Sequence, residues 1–450
     1  MDDNLIFFND KENPFFSLRN FLIKINFAIS KISKNDPNSI DQLCEFIHEY
    51  THYLQSFTTS NGLFALLKYI DTIIRITLDI QKEIVNNTNS IKNIIDNHKK
   101  DLQNVNLRLF WSRGSRTISI DKNPRFYFEK KIFNPIFETS TNEIFMYNIF
   151  DERYYHISSI FLRENMAMMA YFYAHGIGQD AVLDYVKVKN LNCKYWIIFS
   201  YFLREHPEIK NVVLFTFFFC ELVLMDLNTG TFFSRLLSKA NYMLATITYS
   251  DEATFFFNLV NEFKDDINRN INYLSTLLIK IETDSKKLSR VHTFYFTILD
   301  IINLCKKGIE YKRKKPTIFR KILDSKWINH FTRIFLSPII IQPEGIFSVL
   351  FSDNNYMDRL GVFFGVTIII EYLIRDEKVF SCPFHDNIPI CKLYDKYNIS
   401  EICISDPFSI TPFESGGCLF YNSCLILGLL PSSEFNRLIE NEKKQNENHT

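Results

Sequence analysis

The stretch from Leu43 to Gln55 constrains the fold of this 450-residue chain most strongly, because its apolar residues recur with the period of an α-helix. The apolar stripe consists of Leu43, Phe46, Ile47, Tyr50 and Leu54. A helix with such a stripe is stable when the stripe packs against other elements. The sequence therefore predicts a buried helix, with His48, His52 and Gln55 along the neighbouring stripe.

The ends of this helix have their own signals in the sequence. Turn-forming residues at 33–38 precede it, and Ser39 and Gln42 then fit a capping box, in which each side chain serves a free N–H group at the helix start. A run of small polar residues between Thr58 and Gly62 predicts a break. We expect the helix to begin at Ser39 and to end near Thr58.

The same helix carries the pattern H-E-x-x-H at residues 48–52. His48 and His52 lie one turn apart on one side of the helix, so that both imidazoles can bind one metal ion. Glu49 lies beside them and can take a proton from a water on the metal without binding the metal itself. The pattern is typical of zinc hydrolases, and it makes His48 and His52 candidate Zn²⁺ ligands and Glu49 the candidate catalytic base.

A catalytic zinc site needs a third protein ligand. No histidine follows His52 until His98, which favours a carboxylate. Glu164 is a single acid in the strongly apolar segment 161–170, and a buried carboxylate needs a metal or a base as its partner. Glu164 is therefore the preferred third ligand, with Glu221 and Asp226 as alternatives.

The segment 48–52, followed by Glu-Asn-Met-Ala at 164–167, resembles the gluzincin group of zinc metallopeptidases. These enzymes carry HExxH and then a glutamate on a later helix. The neprilysin-like branch has ENxAD at the second position, where its aspartate supports a histidine ligand. Met168 replaces that aspartate here.

The resemblance implies a zincin-like site in which His48, His52 and Glu164 bind Zn²⁺ and Glu49 acts as general base in peptide-bond hydrolysis. The substrate would then be a peptide or a protein. Two alternatives stay open: a non-catalytic metal-binding scaffold or protein-interaction module with a degenerate peptidase site, and a structural helical protein with an accidental motif. Candidate donors for the oxyanion are Tyr154, Tyr155, His156, Tyr173 and His175.

The rest of the chain predicts an α+β protein that is predominantly α-helical. The chain has 45 Phe and 22 Tyr but only 12 Gly and 13 Pro, which favours long packed helices over turn-rich sheets. Alternation at 21–30 predicts a strand, and short strand patterns between 105 and 149 are expected to form a small sheet with it. Helical patterns run from 159 to 311 and from 359 to 374.

We expect four regions: a zincin-like metallopeptidase region at 1–200, a helical region at 201–335, a Cys-bearing helical and loop region at 336–438, and a disordered tail at 439–450. The helical C-terminal half is a possible surface for a protein partner. The basic cluster at 306–321 is interpreted as a solvated connector, with a groove for an acidic partner as the alternative.

Charge and cysteine content limit the partners and the location. The net charge of zero gives no reason to expect nucleic acid, and the apolar runs are too short for a membrane span. The N-terminal residues lack a secretory signal pattern, and the nine cysteines are scattered, so we expect a cytoplasmic protein with reduced thiols. Cys382, His385, Cys391 and Cys403 have ligand types that suit a second zinc, although reduced cysteines are often simply small buried residues.

Overall fold

The computed structural model describes residues 15–17, 21–28, 37–86, 94, 97–98, 126–134, 139–148, 153–189, 191, 195–246, 251–290, 292–314, 327–342, 347–348, 354–374 and 419–429. The first part of the region in which short strands are expected, residues 105–125, lies outside these residues. The same holds for Cys382, His385, Cys391 and Cys403 and for the tail at 439–450. The proposed second zinc and the tail therefore stay predictions.

The predominantly helical fold is confirmed, and the part of the chain that is described contains thirteen α-helices. Their buried apolar side chains form one hydrophobic cluster, which includes Phe57, Phe219 and Phe363 from three of the regions expected from the sequence. None of these helices combines the length and the apolar composition needed to cross a membrane. The helices are α1 Pro37–Thr58, α2 Ser60–Asn86, α3 Ser159–His175, α4 Gln179–Val188, α5 Ile197–Glu205, α6 Val212–Val223, α7 Thr229–Thr246, α8 Glu252–Glu262, α9 Lys264–Ser285, α10 His292–Lys314, α11 Trp327–Phe335, α12 Asn354–Ile374 and α13 Leu419–Leu427.

In the part of the chain that the structure describes, seven strands form two separate sheets. One has the order β1-β2-β6-β7, with β2 and β6 parallel and the other pairs antiparallel; the second is the antiparallel meander β3-β4-β5. The strands are β1 Phe15–Ser17, β2 Leu22–Lys24, β3 Phe126–Asn134, β4 Thr139–Asn148, β5 Arg153–His156, β6 Ile339–Ile341 and β7 Phe347–Ser348.

The expectation that the strand near residue 23 pairs with strands after residue 105 is wrong for the strands described. β2 instead lies between β1 and β6, with Ile23 opposite Ile340. Leu22 and Ile23 are both fully buried, so β2 is covered on both faces. Such a strand pairs well with β6, which consists only of isoleucine. β3, β4 and β5 follow one another closely in sequence, and pairing near neighbours costs little loop-closure entropy.

Helix α1 begins two residues before the position that the sequence suggested. Pro37 is its first residue, so the expected cap at Ser39 is wrong, and Ser39 lies buried inside the first turn. Proline at the first helical position has its φ already fixed in the helical range and lacks an N–H that would otherwise need a partner there. The expected break is confirmed, because α1 ends at Thr58 and α2 begins at Ser60.

Helix α1 lies at the centre of the fold, and its neighbours approach it closely. Tyr50, Tyr53 and Phe57 on α1 are fully buried, and the Tyr53 hydroxyl donates to the carbonyl of Phe335 on α11 (2.7 Å). A Cβ atom at Gly62 would lie only 2.0 Å from the carbonyl oxygen of Gln55, so α2 can start here only because residue 62 is glycine. The stripe bearing the two histidines is therefore held on a rigid element.

Helix α3 has clear signals at both ends. Its N-cap is Ser158, whose hydroxyl accepts a hydrogen bond from the Phe161 N–H, and its C-cap is Gly176 in the left-handed conformation (φ 73°). Leu162 and Met166 between them are fully buried. The caps and the buried face hold α3 against the core.

Candidate metal centre

The structure brings three ligand atoms together where α1 meets α3. His48 Nε2 lies 3.2 Å from His52 Nε2, and Glu164 Oε2 lies 3.6 Å from His48 Nε2 and 3.5 Å from His52 Nε2. Within the described ranges this is the only group of three or more His, Cys, Asp or Glu residues that has the ligand geometry for a metal ion.

The donor set and its dimensions fit zinc. Two histidines and one glutamate form one of the ligand sets that bind catalytic zinc and leave the fourth position open. Ligands about 2.0–2.1 Å from a tetrahedral ion are about 3.3 Å from one another, close to the three separations of this group. The side chains of His48, His52 and Glu164 remain 12%, 13% and 23% exposed, so the group is accessible from solvent.

Glu164 forms its ion pairs with the two histidines of α1. The neighbouring Arg163 is buried and donates from its guanidinium to the side-chain oxygen of Asn61 (3.0 Å). Burial also lowers the pKa of Arg163 to about 10, despite the favourable charge of Glu164. The two histidines are thus the groups that face Glu164 directly.

The pKa values of Glu164 and His52 shift in opposite directions. Burial on its own would raise the pKa of Glu164, but His52 and His48 hold it well below its usual range. Burial would lower the pKa of His52, but Glu164, Glu49 and Gln55 together raise it. Without a metal the group therefore favours a carboxylate beside a protonated imidazole, and a bound cation would take the place of that proton.

Glu49 lies beside this group without joining it. Its side chain is buried, and burial, helped by the charge of Glu164, raises its pKa, although His48, His52 and a hydrogen bond from the Phe16 backbone N–H act in the opposite direction. Glu49 does not belong to the set of converging ligand atoms. A buried carboxylate with a raised pKa, next to a cation site, is suited to accept and return a proton.

The two histidines are held in different ways. Nδ1 of His52 lies 3.0 Å from Oε1 of Gln55, whose Nε2 in turn donates to the carbonyl of Arg163 (3.0 Å). Nδ1 of His48 is buried and has no hydrogen-bond partner among the described atoms. The His48 ring instead packs edge-on against Tyr195, with ring centroids 6.3 Å apart.

Asn165 on α3 connects the helix of Glu164 to Ile198 at the start of α5, three residues after Tyr195. The side-chain oxygen of Asn165 accepts a hydrogen bond from the backbone N–H of Ile198 (3.2 Å), in the first turn of α5. Its side-chain nitrogen donates to the carbonyl of Phe161 (2.9 Å). Asn165 therefore ties the start of α5 to the helix that carries the ligand Glu164. Sequence reasoning missed Tyr195, because no local pattern shows that residues 48 and 195 meet.

The alternative third ligands have other partners. Glu221 accepts a hydrogen bond from Lys312 (2.9 Å), and both side chains are 1% exposed. Asp226 accepts from the backbone N–H of Asn228 (2.6 Å) and from the side chain of Asn270 (3.0 Å). Neither acid belongs to the converging group. Because Lys312 is buried, the interpretation of the whole basic cluster at 306–321 as a solvated connector is wrong.

Two of the five candidate oxyanion donors are too distant from the ligands. Tyr173 and His175 follow Glu164 by nine and eleven residues on the same helix, which separates them by about 13 and 16 Å along its axis. His175 also bonds to Asp41 (2.8 Å). The side chains of the other three candidates, Tyr154, Tyr155 and His156 on β5, lie outside the described part of the structure.

No family model matches the chain, and no match was found among curated proteins or solved structures. A functional conclusion therefore depends on the geometry of the site and on the chemistry of its residues.

Proposed function

We propose that the chain is a zinc-dependent metallopeptidase with a zincin-like site formed by α1 and α3. The observation that carries the proposal is the convergence of His48, His52 and Glu164 within 3.6 Å of one another, beside the buried Glu49. Their order along the chain, HExxH and then a glutamate on a later helix, agrees with the resemblance to gluzincins. A peptide or protein substrate and a cytoplasmic location stay predictions.

In this proposal the three ligands hold the metal and Glu49 moves the proton. Zinc bound there would act as a Lewis acid, which makes water acidic enough to lose a proton near neutral pH and polarises a peptide carbonyl. The Glu49 carboxylate accepts a proton from the water while the water oxygen bonds to the carbonyl carbon. Glu49 then gives this proton to the amide nitrogen as the C–N bond breaks, which leaves a carboxylic acid and an amine.

The position of Glu49 favours an enzyme over a metal-binding scaffold. A structural zinc site normally has four protein ligands and no open position. Here three ligand atoms converge, all three side chains are partly exposed, and an acid with a raised pKa lies next to them. A scaffold without catalytic function would have no need for the fourth group.

The first experiment tests metal binding. Purified protein should contain one zinc per chain, and His48→Ala or His52→Ala should lose it. His206→Ala is the control, because His206 is hydrogen-bonded to Glu208 and Asn241, away from the candidate ligands. Zinc content that is the same in all four proteins would refute the proposed site.

The second experiment separates the peptidase from the scaffold. Glu49→Gln should keep its zinc, but its cleavage of a proteome-derived peptide library should be at least about a hundredfold slower, because the substitution removes the proton acceptor. Glu45→Gln is the matched control, one turn earlier on the same helix. If the wild type and Glu49→Gln give the same cleavage profile while both hold zinc, the peptidase proposal is wrong.

A further inference from the structure

We propose that Gln55 is a positioning residue for the metal: it fixes the tautomer and the ring orientation of His52, and it ties this ligand to the helix that carries Glu164. The inference rests on the metal site of the proposed function but not on peptide cleavage. It follows from two hydrogen bonds, each 3.0 Å long, that the Gln55 amide makes on opposite sides.

The first step is the orientation of the amide. The backbone carbonyl of Arg163 can only accept a hydrogen bond, so the group that faces it must be the NH₂ of Gln55. A flipped amide would bring two acceptor oxygens together in a buried place. The Gln55 oxygen therefore has to face His52.

The second step is the tautomer of His52. Because Oε1 of Gln55 is an acceptor, the ring nitrogen opposite it, Nδ1, must carry a proton. The proton on Nδ1 leaves Nε2 with the lone pair that a metal ligand needs. Nε2 is also the His52 atom that lies near His48 Nε2 and Glu164 Oε2. The carbonyl of Arg163 thus determines, through Gln55, which nitrogen of His52 binds the metal.

The third step is rigidity. The Gln55 side chain is fully buried, so water does not compete for either hydrogen bond. Its backbone is confined as well, because Gly62 of α2 packs directly against the Gln55 carbonyl. The residue after Arg163 is Glu164, so one side chain bonds to a histidine ligand on α1 and to the backbone beside the carboxylate ligand on α3. Hydrogen bonds of this kind typically contribute a factor of 10–100 to metal affinity.

The test measures the zinc dissociation constant of the full-length chain by competition with a chromogenic chelator, together with the urea midpoint of the metal-free protein. Gln55→Met keeps the length and the unbranched shape of the side chain but removes both hydrogen bonds. We expect it to weaken zinc binding about 10–100-fold. Gln81→Met is the matched control: Gln81 on α2 also donates to a distant carbonyl, but that of Ile426 (3.1 Å) and not one beside a candidate ligand. It should leave zinc affinity unchanged.

A second variant separates positioning from a merely structural role. Gln55→Glu keeps an acceptor for His52 Nδ1–H but places a carboxylate against the carbonyl of Arg163. We expect a lower urea midpoint, with zinc affinity within about tenfold of the wild type, because an anionic acceptor still fixes the tautomer. If Gln55 served only the fold, zinc affinity would instead follow the urea midpoint in every variant. Should Gln55→Met not fold, Gln55→Glu decides the question alone.

Two results overturn the proposal: a folded Gln55→Met that binds zinc as tightly as the wild type, or a Gln55→Glu that loses zinc binding in proportion to its stability. Both results are distinct from a failure of the peptidase proposal. If the chain binds zinc, depends on Gln55 for its zinc affinity and yet cleaves no peptide, only the peptidase proposal is wrong. A wild-type chain that binds no zinc refutes the metal site and the role of Gln55 together.

Discussion

Gly308 on α10 packs directly against the backbone carbonyl of Phe57 on α1, and a Cβ atom at residue 308 would lie 2.1 Å from that carbonyl oxygen. The obstacle is backbone, so a flexible side chain cannot move aside to make room. This contact brings α10 as close as possible to the last turns of the helix that carries the two histidines.

We therefore expect Gly308→Ala to lower the free energy of unfolding by about 1–3 kcal/mol, because α10 has to move away from α1. The control is Gly361→Ala in the middle of α12, where a Cβ would meet nothing within 4 Å. That substitution should raise stability by roughly 0.5–1 kcal/mol through the better helix propensity of alanine. Urea unfolding of both variants provides the measurement, and equal effects of the two would contradict the close packing.

The Tyr195 ring is expected to hold His48 in place, since His48 Nδ1 has no hydrogen-bond partner in the described structure. Tyr195→Ala should weaken zinc binding by roughly 2–10-fold, the size of an aromatic contact of about 0.5–1.5 kcal/mol. Tyr195→Phe keeps the ring and should bind zinc like the wild type. Zinc competition titrations measure both, and a loss in Tyr195→Phe would show that the phenol oxygen matters instead of the ring.

The features that the sequence predicted well are local ones. A stripe of apolar residues with helical period predicted α1, and in the structure Phe46, Ile47, Tyr50 and Leu54 are buried. This stripe spans a few turns of one helix, so the spacing of its residues alone determines which side chains share a face. The four-residue spacing of two histidines is local in the same sense. The prediction of Glu164 depends instead on the free-energy cost of burying a lone acid.

The features that the sequence did not predict depend on partners far along the chain. Lys312 belongs to a basic run that suggested a solvated segment, but its partner Glu221 lies 91 residues away and both are buried. β2 pairs with β6 at Ile340, more than three hundred residues later. Composition near Lys312 or Ile23 contains no information about these partners. Charge runs and short strands are therefore weaker guides than the helical period.

The buried pair of Glu221 and Lys312 gives a further prediction. Lys312→Met should destabilise the protein by about 3–5 kcal/mol, because it leaves a charged carboxylate in the core. The double variant Glu221→Leu with Lys312→Met should recover most of this loss, since no buried charge remains. Lys287→Met is the surface control: its partner is Asp284, its own side chain is 64% exposed, and the change should cost at most about 1 kcal/mol. A double variant as unstable as the single one would contradict this reasoning.

Asp41 predicts a dependence of stability on pH. It accepts hydrogen bonds from His175 (2.8 Å) and Lys189 (3.1 Å), and these partners lower its pKa although partial burial alone would raise it. Because the pKa of Asp41 is lower in the folded state, its contribution is complete above the unfolded value near 4 and is lost as the pH falls through the folded value.

Asp41→Asn should accordingly lower the free energy of unfolding by roughly 1 kcal/mol at pH 6, and this difference from the wild type should shrink once the pH falls below about 4. Asp184→Asn is the control, because the Asp184 side chain is 83% exposed and lies 4.0 Å from Lys187, at the limit of an ion pair. Urea unfolding between pH 3 and pH 6 tests the prediction. A difference that grows on acidification would mean that Asp41 is not stabilised as a carboxylate by His175 and Lys189.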